Sequence, residues 1–350
     1  MRKILFFAVL GIILSQSSFA KIWRVNNKAG ITANFTTLQA AHDSAASGDT
    51  IHLEGSPFTY GGLTCSKKVT IIGAGYYLNE NPNTQAVKQF SQVAAMTLNH
   101  GSAGTSIMGL DFKGAGLNIY AGDITVIRNK FSYNGANEDD YAGIITIYYM
   151  NNNGAIGASN INISQNYGVA ISNTYPSTGL LITNNYITYG TAYSFGQTNL
   201  GLNVNSIALV QNNVFNYGNI TAYNSSFTNN IMLGGTFNGT GNLTANNIGN
   251  ANQFGSLNGN KANIDMATVF IGTGEGISSD GRWKLKAGSP GIASGYGSTA
   301  GNPVDIGMYG GTSKYVPSGM PPIPAVYFFE NQPIGSNTDP IDVQIKVKSN

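Results

Sequence analysis

Ile182-Thr183-Asn184-Asn185-Tyr186, Val210-Gln211-Asn212-Asn213-Val214, Phe227-Thr228-Asn229-Asn230-Ile231 and Leu243-Thr244-Ala245-Asn246-Asn247-Ile248 repeat one pattern. Each opens on an apolar strand residue, passes through an asparagine turn and ends on another apolar or aromatic residue. Earlier versions are Ile71-Ile72-Gly73, Ile107-Met108-Gly109, Val126-Ile127-Arg128-Asn129-Lys130-Phe131 and Ile163-Ser164-Gln165-Asn166-Tyr167. The first turn position falls at 73, 109, 128, 165, 184, 212, 229 and 246, so the steps are 36, 19, 37, 19, 28, 17 and 17. The steps of 36 and 37 are double coils, with the missing coils at Ala95-Met96-Thr97-Leu98 and Gly143-Ile144-Ile145-Thr146-Ile147-Tyr148. The step of 28 is one coil carrying about ten extra residues within Tyr189 to Leu200. A period near 18 with strands of three to five residues cannot bury a core in one repeat, so the repeats must stack as a solenoid.

Stacking explains the composition. Coils hydrogen-bonded in parallel rise by about 4.8 Å each, which sets side chains of one column almost in contact. Like charges in a column would repel, and charged residues are only 10% of the 350. Asparagine tolerates left-handed turn geometry, and its amide is both donor and acceptor. Asn129, Asn166, Asn185, Asn213, Asn230 and Asn247 are therefore expected to satisfy one another down the axis. A hydrophobic content of 42% supports a sizeable core, and a net charge of +2 without a basic run gives no nucleic-acid footprint.

The N-terminus reads as an export signal: Arg2 and Lys3, an apolar run from Ile4 to Leu14, then Ser18-Phe19-Ala20. The run is too short for a spanning helix, so the mature chain should start at Lys21 and not span a membrane. Cys65 is the one cysteine and reads as a buried small hydrophobe. A helix is expected over 36–48, with Leu38, Ala41 and Ala45 on one face and Gly48 as the stop.

Phe35-Thr36-Thr37-Leu38-Gln39-Ala40-Ala41, with Ser47-Gly48-Asp49-Thr50-Ile51, resembles the N-terminal cap of right-handed parallel β-helix (pectin-lyase-like) proteins. Val69 to Gly75 resembles their first coil, and Leu285 to Gly295 with Asp305 to Gly311 resembles their closing coil. The resemblance implies an all-β right-handed parallel β-helix solenoid over 21–315; the repeat period gives it nine to eleven coils, and the N-terminal signal peptide places it after residues 1–20. It implies no single activity, because this fold hosts lyases, hydrolases and binding modules alike. Residues 316–350 should form a Pro-rich strap and one half-buried strand, Ile341 to Lys348, with Lys346 and Lys348 outward. That strand is expected to dock on the end or an edge of the solenoid, an attachment signal being the alternative.

Candidate chemistry is sparse. No phosphate loop, metal-ligand pair or nucleophile motif stands in the chain, no cofactor is implied, and His42, His52 and His100 are far apart. A lyase would need a basic residue beside carboxylates, for which Asp111, Asp123, Arg128 and Lys130 are the candidates. The repeat puts Asp111 one coil before Lys130, which reads as an exposed stacked ion pair. Glu138-Asp139-Asp140 is the acidic cluster, either solvated or a catalytic or calcium loop. Asn79, Asn81 and Asn83 alternate like half a calcium loop but carry little charge. Tyr148, Tyr149, Tyr167 and Tyr186 lead a tyrosine-rich middle region suited to stacking on sugar rings. The reading is a secreted or cell-surface β-helix that binds a polysaccharide or surface glycan; alternatives are a polysaccharide lyase or hydrolase, or a structural adhesin module.

Overall fold

The computed structural model describes residues 20–114, 116–132, 143–148, 158–173, 175–192, 197–332 and 340–349. The export signal expected at 1–20 lies almost wholly outside them, as do Glu138 to Asp140 and Tyr149.

The described chain is a parallel β-helix with three flanks. One flank is a ten-stranded parallel sheet that begins with Ile22–Val25 and Thr50–Leu53 and ends with Leu243–Ala245. Its inward column runs Ile51, Ile71, Ile107, Val126, Ile163, Ile182, Val210 and Phe227, residue paired on residue. All eight are 0% exposed. The other two flanks belong to one sixteen-stranded sheet and meet in the strand Tyr167–Asn173. One carries the column Leu63, Met96, Leu117, Ile145, Ile171, Leu202, Ile220 and Phe237. The other packs Phe112 on Phe131 at 4.5 Å on its inner face, and its outer face carries the column Asp111, Lys130, Tyr167, Tyr186, Val214, Ile231 and Ile248. Such stacking buries on neighbours what no coil could bury alone.

The turn between the first and third flanks contains two asparagine systems. The inner one is the ladder expected from the repeat. The Nδ2 of Asn129, Asn166, Asn185, Asn213 and Asn230 each donates to the Oδ1 of the next, at 3.0 to 3.2 Å. Asn247 continues it onto Asn260 at 3.0 Å, one rung more than the repeat alone suggested. The preceding residue of each pair is left-handed: Asn184, Asn212, Asn229 and Asn246 have φ of 54° to 59°, and Arg128 and Gln165 match them at 58° and 56°. A residue in that conformation turns the chain sharply enough for the next one to enter the ladder.

These outer residues form the second system, which the sequence reading did not anticipate. Asp305 to Gly311, expected in a closing coil, lies instead within a segment 294–320 that continues into the expected strap. This segment runs back along the solenoid and is fastened to the row of outer turn residues. Asn246 Nδ2 donates to Ser294 O, and Asn212 Nδ2 to Asp305 O. Asn184 Nδ2 donates to both Met308 O and Gly310 O at 2.9 Å. Gln165 Nε2 reaches Ser313 O, and Arg128 Nη1 reaches Met320 O. The strap ends against the first coils, where Tyr76 N–H donates to Ser318 O at 2.8 Å. Burial lowers the Arg128 pKa, and the guanidinium stays charged at any physiological pH.

The cap helix is shorter than the sequence suggests, spanning Leu38–Ser44. Thr37 caps it, its hydroxyl accepting from Ala40 N–H, and Leu38 and Ala41 are fully buried. It stops early because the Asp49 carboxylate captures the Ala46 N–H at 2.8 Å. Asp49 also accepts from Lys21 N–H and Trp23 Nε1. Burial pushes its pKa up, but these three donors prevail and hold it below the usual carboxylate range. A depressed folded-state pKa contributes stability above the unfolded value, about 3.9, that is lost as pH falls through the folded value. Asp49→Asn is therefore expected to lower stability at pH 7 and to flatten its fall below about pH 4, read as urea midpoints across pH. Equal acid slopes in both proteins would contradict this.

The insertion expected within Tyr189 to Leu200 is a local antiparallel pairing of Gly190–Ala192 with Gln197–Val204. The C-terminal tail differs from expectation. Val343–Lys348 does not cover a solenoid edge; it pairs antiparallel with Ala325–Asn331 in a two-stranded sheet of its own. Backbone pairing satisfies the strand, but Val343, Ile345 and Val347 stay more than half exposed. Lys346 instead lies over the Phe328 ring at 4.7 Å.

Candidate carbohydrate-binding surface

The tyrosines singled out in the sequence divide between interior and surface. Tyr167 and Tyr186 are 1% and 0% exposed, so neither can stack on a sugar. They follow the ladder asparagines on the third flank, where the segment 278–283 covers them. Their rings stack at 4.5 Å, and Trp283 continues the stack on Tyr186 at 4.7 Å. The Tyr167 hydroxyl donates to Ser279 O and accepts from Trp283 Nε1. Tyr148 is half-buried at the end of Gly143–Ile147 and lies parallel to Tyr120 of the preceding coil, 4.5 Å apart with 3° between the planes. His100, one coil earlier, meets the Tyr120 ring edge-on at 6.2 Å. Because Tyr120 and Tyr148 cover each other's faces, this row offers edges and hydroxyls repeating at the coil rise.

The lyase candidates do not converge on an open groove. Asp111 and Lys130 are register partners, but the pair is buried, not exposed: their side chains are 4% and 6% accessible, with Nζ 4.0 Å from Oδ2. The Tyr77 ring caps Lys130 at 4.7 Å. Arg128 points to the strap, and Asp123 is exposed on another turn, bonded to Asn160 at 2.9 Å. The Asn79 to Asn83 loop is structural at Asn81, whose Nδ2 is bonded to Asp280 and Ser318. Among the described residues no group of three His, Cys, Asp or Glu side chains could hold a metal ion. The histidines have separate neighbours: buried His42 accepts from Ser66 N–H, and burial lowers the His52 pKa. Cys65 is 0% exposed, its thiol donating to Lys67 O, and burial raises its pKa.

The strap creates a site that the sequence did not announce. Between its loop 296–314 and the outer turn residues lies a polar cleft of about 260 Å³. Its lining includes Gln211, Asn212, Asn229, Asn302 and Asp305, with Lys314 at the side. Tyr296 lies on the cleft, 63% exposed. Its position is fixed by its backbone, whose N–H donates to Asn229 Oδ1 at 2.6 Å. The Asp305 Oδ1 accepts from Ala293 N–H at 2.8 Å, which holds the carboxylate in place. Asn212 and Asn229 are buried and bonded to the strap, so the amides of Gln211 and Asn302 and the Asp305 carboxylate supply the accessible donors and acceptors, and the exposed ring offers an apolar platform. Nothing in Ser294 to Asp305 repeats with the coils, so the only sequence signal was the outer asparagine of each pair.

No protein-family model matches the chain, and no curated protein matches it. Among solved structures the chain is similar to the crystal structure of pectate lyase Pel9A, at 14% identity over 83% of this chain and 96% of that one, with a TM-score of 0.41. Among the described residues no helix is long and apolar enough to cross a membrane. The two stacked sheets of matched parallel strands make the chain a parallel β-helix protein.

Proposed function

We propose that the protein is an exported, secreted or cell-surface β-helix that binds polysaccharide at the Tyr296 cleft. The observation that carries this reading is the cleft itself: an exposed ring beside amides and a fixed carboxylate is the chemistry that recognises a polyhydroxylated ring. The Tyr120–Tyr148 row is a second contact line, its hydroxyls repeating along the solenoid at about the coil rise of 4.8 Å. Tyr149 remains a sugar-stacking candidate and Glu138 to Asp140 an acidic-loop candidate, all outside the described residues.

Affinity electrophoresis tests the reading in gels containing plant, algal or bacterial polysaccharides. At least one should retard the protein. Tyr296→Ala should weaken that retardation about tenfold, the loss of one ring contact of roughly 1–1.5 kcal/mol, with unchanged thermal stability. Unaltered migration in every polysaccharide would sink the reading. Export is favoured by the signal-like N-terminus and by Lys21, whose backbone nitrogen is 2.8 Å from Asp49 Oδ1. Cleavage after Ala20 would convert that N–H into an ammonium group facing a carboxylate. Sequencing of the exported protein should read Lys-Ile-Trp; a retained Met-Arg-Lys terminus would contradict cleavage.

A further inference from the structure

A second cavity lies on the third flank, away from the Tyr296 cleft, and its chemistry is different. It has a volume of about 450 Å³, within the usual range for small-molecule sites. Solenoid residues Asn216 and Leu233 form one side, and the segment 266–286 folds over to form the other. Leu233, Met266, Phe270, Ile271 and Trp283 make most of the wall. Both charged lining residues, Arg282 and Lys286, are cationic.

The wall is built before any ligand arrives. One face of Trp283 rests on Tyr186 at 4.7 Å, and Phe270 meets the indole at 5.3 Å and 90°. Indole Nε1 donates to the Tyr167 hydroxyl at 3.3 Å, so the ring is held in plane as well. Asn216 fixes the base of the stack by donating to the Tyr186 hydroxyl at 2.8 Å. Arg282 lies over the indole at 5.0 Å and also donates to the Tyr167 hydroxyl. Lys286 is tethered to Ala267 O at 2.9 Å, which keeps its ammonium at the rim. A rigid apolar wall with fixed cations lowers the ordering cost of binding and favours a flat apolar body carrying one negative charge. The scarcity of hydrogen-bonding groups in the wall disfavours a sugar.

We infer that this cavity is a binding site for aromatic monocarboxylates and chemically similar flat apolar anions. The site stands independently of polysaccharide binding at Tyr296.

The protein has two tryptophans, Trp23 and Trp283, and only Trp283 lines the cavity. The test uses the full chain carrying Trp23→Phe, titrated with anilinonaphthalene sulfonate as the anionic probe. Energy transfer from Trp283 should saturate with one site. Naphthoate should displace the probe at least about tenfold better than the uncharged naphthalenemethanol. Lys286→Glu and Ile271→Glu, each on an exposed lining residue, should each weaken probe binding at least about tenfold without changing the melting temperature. Should Trp23→Phe fold poorly, the displacement titration in the unsubstituted protein, followed by probe emission, reads the same preference. Non-saturating transfer, equal displacement by the neutral compound, or unchanged affinity in both glutamate variants would each overturn the assignment. Tyr296→Ala is expected to leave probe binding unchanged.

Discussion

Asn185→Ala is expected to cost about 4 kcal/mol of stability, a large loss for one exchange of a small side chain. Asn185 is 0% exposed and sits mid-ladder. Its Oδ1 accepts from both the backbone N–H and the Nδ2 of Asn166, at 2.9 and 3.0 Å. Its Nδ2 donates to Ile163 O and to Asn213 Oδ1. Alanine removes four buried hydrogen bonds at once; Asn166 Nδ2 and Asn213 Oδ1 keep other partners, and the Asn166 N–H and Ile163 O lose the Asn185 amide at about 1–3 kcal/mol each. Asn184→Gly next door keeps the left-handed turn and loses only the two bonds to the strap, so it should cost about 2 kcal/mol. Urea midpoints of the two variants check this order. A loss under about 1 kcal/mol for Asn185→Ala would mean that the ladder is incidental to the stack.

Asp280→Ala is the second large effect, and it falls on the strap. Asp280 is 0% exposed. Its carboxylate accepts from Asn81 Nδ2 at 3.0 Å, Ser318 N–H at 2.7 Å and the Tyr315 hydroxyl at 3.2 Å. Two segments far apart in sequence, at Asn81 and at Tyr315 to Ser318, are thus tied to one anion. The Tyr315 hydroxyl is also 2.7 Å from that of Tyr76, and burial holds both tyrosine pKa values well above the usual one. They stay neutral donors at any physiological pH. Hydrogen bonds to an ion contribute about 1.5–3 kcal/mol each, so losing three is expected to cost roughly 4 kcal/mol. Asp280→Asn retains an acceptor oxygen and should lose about half as much. Limited proteolysis gives the local readout: cleavage between residues 312 and 325 should appear in Asp280→Ala at temperatures where the unaltered protein resists. Equal resistance would show that the outer asparagine row holds the strap without Asp280.

The stacked architecture was legible because a short period and alternating apolar residues admit one way to bury a core. The inner ladder was legible for the same reason, since an asparagine recurring in one column can only meet its own kind. The strap was not. A left-handed outer asparagine reads alike whether its amide faces water or a carbonyl of a returning chain, so Leu285 to Gly295 with Asp305 to Gly311 reads as a closing coil and a strap is expected only from residue 316. The burial of Tyr167 and Tyr186 did leave a trace. Their column continues through Val214, Ile231 and Ile248, and three aliphatic residues in one column mark a covered flank. The same column holds Lys130, whose partner was readable from the register and whose burial was not, because the cover comes from Tyr77 outside the repeat. The low charge content thus reflects both stacking and a flank closed by the chain's own return.

Hydrogen–deuterium exchange with and without the polysaccharide that most retards the protein is the most direct test of the account. The strap builds the binding site, so added protection should centre on Tyr296 to Asp305 and on the turns at Asn212 and Asn229. Protection confined to other coils, with these segments unaffected, would contradict it.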